Sequence, residues 1–189
     1  MLNGPLKPTP NKSHYTFNLR DISKIFGGCS IVNNKTVMTN LHLVRLWIHE
    51  NKRVFSDRLN DNPDRKFMDD LLLEKAQAKF DLSKDDIFNA ERIIFGDFMD
   101  GIDVETRVYR QMEDLRGMQS KVEEYLEEYN GTFKVQMPLV MFLDACDHVA
   151  RIQRIIRQPL GNAFLLGVGG SGRQSLSKLA TFIANQKVF

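Results

Sequence analysis

Four glycines crowd into "GVGGSGRQS", residues 167–175, behind the apolar run "NAFLLGV" and ahead of the amphipathic stretch "RQSLSKLATFIANQ". Glycine accepts positive φ and lets a ligand come close to the backbone. The amides of Gly167, Val168, Gly169, Gly170, Ser171 and Gly172, leading into a helix N-terminus near Arg173, would form a nest for an anion. Two templates fit the same letters: the dinucleotide fingerprint G-x-G-x-x-G and the glycine frame of the mononucleotide loop G-x-x-x-x-G-K-[ST]. The first wants an acid about 20 residues further on, and residues 161–189 contain neither Asp nor Glu. The second puts Arg173 where lysine belongs and Gln174 where Ser or Thr would meet Mg²⁺. Arg173 keeps the positive charge as a planar fork. Gln174 is a poor magnesium ligand, and Ser175 points about 100° further round the helix. The loop predicts phosphate binding without efficient hydrolysis; the alternative is a glycine-rich strand-to-helix turn that binds nothing.

Other reactive letters carry less. Cys146, Asp147 and His148 are neighbours on a helix, where i and i+2 point apart. His42 and His49 share a helix face without a third ligand, a weak case for a metal. The acidic "EEYLEEY" reads as a solvated helix flank. No catalytic set and no metal site is expected.

The elements that must position the loop follow from periodicity and punctuation. Asn18 caps a helix whose Leu19, Ile22, Ile25 and Phe26 share a face, with Gly27-Gly28 ending it. A second helix runs through "TNLHLVRLWIHENKRVFSDRL", and a third opens at Asn62-Pro63-Asp64 with Asn62 as the cap. Ser83 and Asp86 make a short capping box. After the break at "IIFGDFMDGID", a long helix is predicted from about Val104 to Tyr129, striped by Val108, Met112, Leu115, Met118, Val122 and Tyr125 and stopped by Asn130-Gly131. Pro138 opens the next helix, through about Arg157, with Phe142, Cys146, Val149, Ile152 and Ile156 inward. "NAFLLGV" suits a buried strand, and the closing "KVF" the first residues of another.

Composition sets the class. In 189 residues, 42% apolar and 26% charged content predicts a globular protein, and a net charge of +2 gives no electrostatic case for nucleic acid. Cys29 and Cys146 have no paired spacing, which suits a reducing compartment. The polar, proline-rich start is unlike a secretory signal or presequence, and no apolar run approaches a membrane span, so a cytosolic setting is expected.

With these residues in view, "PLVMFLDACDHVARIQRIIRQPLGNAFLLGVGGSGRQSLSKLATFI" resembles the start of the fourth AAA+ module of a dynein heavy chain. Arg173-Gln174 makes it look axonemal, since the cytoplasmic forms have lysine-threonine there. "SHYTFNLRDISKIFGG" and "LVRLWIHENKRVFSDRL" are similar to the helical lid of the third module. The resemblance implies a mostly α chain, a helical AAA+ lid followed by the incomplete start of an α/β P-loop domain. Its segments would be a lead-in at 1–13, the lid at 14–100, a connector and long helix at 101–137, and the truncated large subdomain at 138–189.

It also implies ATP or ADP at Gly167 to Ser175, Pro138, Leu139 and Val140 beside the adenine, and Arg20 as sensor 2 of the preceding module. Mg²⁺ would be an optional companion, its usual ligand replaced by Gln174. Implied partners are the other AAA modules, and, through the parent chain, microtubules and the dynein intermediate and light chains, with no nucleic acid and no membrane. The implied setting is the cytoskeleton of the cytoplasm and the axoneme of cilia and flagella. The parent would be an ATP-driven, minus-end-directed motor, and this stretch alone would not hydrolyse ATP appreciably. Two other readings stay open: a non-catalytic helical interaction module with a vestigial glycine loop, and a truncated dinucleotide-binding oxidoreductase.

Overall fold

The computed structural model describes residues 6–32, 36–88, 92–101 and 107–187. Two compact units divide between Ile93 and Ile94, each with its own apolar core. Residues 101–137 therefore belong to the same unit as the glycine loop.

The N-terminal unit is helical among its described residues: α1 (Leu19–Cys29), α2 (Asn40–Val54), α3 (Asn62–Phe80) and α4 (Lys84–Ile87). Asn18 and Asp21 form a reciprocal capping box on α1, as do Ser83 and Asp86 on α4. The cap of α3 is Asp61 rather than Asn62: its extended backbone lets the carboxylate accept from the amide of Asp64 at 3.1 Å. Helix α1 does not stop at Gly27-Gly28 but runs to Cys29, where the Ser30 hydroxyl donates to the Phe26 carbonyl. Of its apolar set only Ile25 is buried; Leu19, Ile22 and Phe26 face outward.

Val44, Ile48, Phe55, Leu59, Met68, Leu72 and Ile87 make the core, joined by Leu6 and Tyr15 from the lead-in. Buried Arg45 closes the end of α4, donating to the carbonyls of Ile87 and Asp86 at 3.0 and 2.7 Å. Asn18→Ala removes a cap and lowers stability by about 1 kcal/mol. Arg20→Ala, two residues on and exposed, changes it by less than about 0.5 kcal/mol. Urea denaturation followed by the fluorescence of Trp47, the single tryptophan, checks both.

The C-terminal unit contains β1 (Phe95–Gly96), β2 (Arg110–Gln111), α5 (Leu115–Thr132), α6 (Leu143–Arg157) and α7 (Arg173–Ile183). The helix expected from Val104 begins only at Leu115; Val104 itself lies outside the described residues. Residues 110–112 are instead extended, pairing antiparallel with β1, and the Met112 amide donates to the Ile94 carbonyl at 2.8 Å. Val108 and Met112, spaced four apart, satisfy a helix stripe and a strand alternation alike, and pairing decides. Asp114 then caps α5 through the amides of Arg116 and Gly117.

Asn130 does not end α5. Its amide side chain exchanges two hydrogen bonds with the backbone of Met137, at 2.7 and 3.2 Å, clamping the loop that follows the helix. Helix α6 starts at Leu143, five residues after Pro138, so Phe142 is its exposed N-cap and not an inward residue. Cys146, Val149 and Ile152 face the core with Leu179, Ala180 and Ile183 of α7 and Met118 and Val122 of α5.

The expected buried strand at 162–168 is not formed. Among the described residues nothing pairs with this segment, and Phe164, Leu166 and Val168 are exposed, Phe164 at 86%. A central parallel strand needs neighbours on both edges and cover on both faces; here only Leu165 touches the core. Val188 and Phe189, read as the start of a second strand, lie outside the described residues. No helix among the described residues is long and apolar enough to cross a membrane.

Candidate functional site

The glycine loop is held at its far end by α7, whose Leu179, Ala180 and Ile183 are fully buried. Burial of this face fixes where the helix begins, and so where its first amides point. Gly170 and Gly172 both take φ +77°, the left-handed region that a β-carbon disfavours. A β-carbon at Gly167 would sit 2.8 Å from the Ser171 hydroxyl oxygen, so that hydroxyl would have to rotate away. Gly169 has open space around it.

Gly172 is the N-cap of α7 and has no side chain to offer, so the amides of the first turn lack the usual side-chain acceptor. The first helical bond runs from the Leu176 amide to the Gly172 carbonyl. Arg173 bends back over the loop, its Nη2 donating to the Val168 carbonyl at 3.1 Å.

A cavity of about 580 Å³ opens here, lined by Leu165, Gly170, Ser171, Gly172, Arg173, Gln174, Ser175 and Ser177. Among the described residues its lining includes one cation, three hydroxyls and no carboxylate. That chemistry receives an anion: uncapped amides and a helix dipole at one wall, a guanidinium at another. Leu165 and Ser177 were not singled out from sequence. Ser177 was findable, since it lies one helical turn beyond Arg173 and its hydroxyl donates to the Arg173 carbonyl at 2.7 Å.

Pro138, Leu139 and Val140 do not line this cavity. They precede α6, with the Leu139 amide donating to the Met137 carbonyl at 2.9 Å: Val140 is 84% exposed, while Leu139 packs against the core. In the N-terminal unit Arg20 is exposed at the start of α1, and no described residue forms an ion pair with it. Its neighbour Asp21 is buried and paired instead with Arg58 at 3.1 Å.

The reactive letters elsewhere are separated by packing. Cys146 is buried and His148 exposed on α6, while Asp147 pairs with Arg151 at 2.5 Å. Burial pushes the Cys146 thiol up to about 11, with the Glu123 carboxylate adding to the shift. The reactive species is the thiolate, so at pH 8 Cys146 resists alkylation in the folded chain and labels only after denaturation. Mass spectrometry after iodoacetamide checks this, with partly exposed Cys29 as internal reference. His49 is buried, its Nδ1 against the Ile93 carbonyl at 3.1 Å, a packing role.

A glycine loop opening an uncapped helix has the form of a phosphate-binding P-loop. Comparison with known families agrees. Residues 2–90 match the family described as "AAA+ lid domain", and residues 137–189 match "P-loop containing dynein motor region D4". Dynein axonemal heavy chain 1 of Mus musculus is 45% identical over 100% of this chain and 4% of its own length. Dynein axonemal heavy chain 6 of Homo sapiens is 44% identical over 96% of this chain and 4% of its own. Dynein axonemal heavy chain 12 of Mus musculus is 40% identical over 98% and 6%. The chain belongs to the axonemal dynein heavy chain family. It spans 4–6% of the length of these relatives. These matches support neither the dinucleotide-binding nor the interaction-module alternative.

Proposed function

We infer that this segment supplies a regulatory nucleotide site and part of the coupling between neighbouring modules in an ATP-driven, minus-end-directed microtubule motor of cilia and flagella. Residues 14–100 act as the lid of the third AAA+ module, 101–137 as connector, and 138–189 as the opening of the fourth. ATP or ADP takes its place along Gly167 to Ser175, with Arg173 on the phosphates. Pro138, Leu139 and Val140 approach the base only with adjoining heavy-chain segments in place. Arg20, exposed and without an ion pair among the described residues, serves as sensor 2 for the preceding module's nucleotide. Its other partners are the remaining modules of the same heavy chain and, through the parent, microtubules and the intermediate and light chains, in the axoneme.

One observation carries the reading: an uncapped helix start behind left-handed glycines, opening on a cavity with a cation and no carboxylate. Titration with fluorescent ATP and, separately, NADH tests the reading. Saturable ATP binding without an NADH response supports it; NADH preference, or no binding of either, overturns it.

A further inference from the structure

We propose that this loop binds the phosphate tail of a nucleoside di- or triphosphate without a magnesium ion held by the protein. The inference rests on the nucleotide reading above and concerns what neutralises the phosphate charge.

The P-loop fold family implies Mg²⁺ at this place, and the residues present do not fit it. Magnesium demands near-octahedral oxygen donors at about 2.0–2.1 Å, and P-loops give it a Ser or Thr hydroxyl directly after the cationic residue. That position holds Gln174, an exposed neutral amide. Ser175 is displaced by about 100° around the helix. The Ser177 hydroxyl is turned onto the Arg173 carbonyl at 2.7 Å. Among the described residues no carboxylate lines the cavity.

What the site has instead is a fixed cation. Arg173 reaches back to the Val168 carbonyl at 3.1 Å, an exposed hydrogen bond that holds its guanidinium beside the loop. A guanidinium carries five donors in a planar fork and engages two phosphate oxygens at once, as a lysine ammonium does not. Together with the uncapped amides of α7 it supplies charge and hydrogen bonds where a lysine-bearing loop relies on its metal. Arginine and glutamine are thus a matched pair of replacements: one adds donors, the other removes the metal's seat.

Fluorescent ADP and ATP analogues titrated into the chain, in millimolar Mg²⁺ and again in EDTA, test this. The wild-type affinities in the two conditions should agree within about threefold. Gln174→Thr should restore a metal seat and bind the triphosphate at least about tenfold tighter in Mg²⁺ than in EDTA. Arg173→Gln should lose about tenfold or more under both conditions alike. Wild-type binding that disappears in EDTA overturns the metal-free proposal and leaves the nucleotide reading standing, as does Gln174→Thr with no magnesium gain. Undiminished binding by Arg173→Gln removes the cation's role. No binding under any condition sinks the nucleotide reading itself.

Discussion

Gly172→Asp lowers nucleotide affinity by at least about 100-fold, while Gly172→Asn stays within about tenfold of wild type. The pair separates two effects. Both substitutions force a β-carbon into the left-handed region at φ +77°, a strain of about 1 kcal/mol that Asn and Asp tolerate best. Neither meets a clash, because the nearest atom to a β-carbon there is Leu176 Cγ at 4.0 Å. Only Asp adds a negative charge at the helix N-cap, where the phosphates belong. Two unit charges about 4 Å apart repel by about 4 kcal/mol near a protein surface. The carboxylate also caps the first-turn amides itself and so competes for the donors the ligand would use. Fluorescent ATP titration of the three proteins reads the difference. Equal losses for Asp and Asn would mean that backbone geometry, not anion recognition, governs the loop.

The largest loss of stability is expected at Asp97. Its buried carboxylate accepts from Gln153 Nε2 at 2.6 Å and Arg157 Nε at 3.0 Å, with Arg107 Nη1 at 3.9 Å. Gln153 is 1% exposed. Arg107 in turn donates to the Ile183 carbonyl at the end of α7 and to the Gly101 carbonyl at 3.1 Å. One carboxylate thus braces the turn after β1, helix α6 and the far end of the helix that carries the glycine loop.

Removing one partner of a buried ionic group costs up to about 3–5 kcal/mol, and here the Arg107 guanidinium stays fully buried while Arg157 remains partly exposed. Asp97→Ala should therefore unfold the C-terminal unit well before wild type in urea. Hydrogen exchange should show lost protection in α6 and α7, with α2 unaffected. Asp97→Asn, which keeps an acceptor but loses the charge, should cost less. A variant as stable as wild type would assign the brace to surrounding apolar packing.

Elements whose cause is local are legible in the sequence. Asn18 and Ser83 announce their helices by capping boxes that close within three residues, and the structure has both. The glycine loop was legible because its spacing answers to a backbone requirement, although Gly172, rather than a polar residue, turned out to be the helix cap. What failed depends on distant partners. Val108 and Met112 fit a helix stripe until Phe95–Gly96 arrives to pair with residues 110–111. Asn130 reads as a helix stop until Met137 folds back against its side chain. Asp97, an unremarkable acid in a turn, becomes a hub only when Gln153 and Arg157 arrive from nearly 60 residues away. Residues 162–168 were judged as a strand from composition alone, and composition supplies no neighbours.

That last stretch has a practical outcome for anyone handling the protein. A ribbon that leaves Phe164, Leu166 and Val168 in water, with no strand paired to it among the described residues, invites other molecules to line up along it. Solutions of this chain should turn from single molecules to larger species as they are concentrated, with the crossover set by this ribbon rather than by net charge. Charged replacements at Phe164 and Leu166 should keep it dispersed.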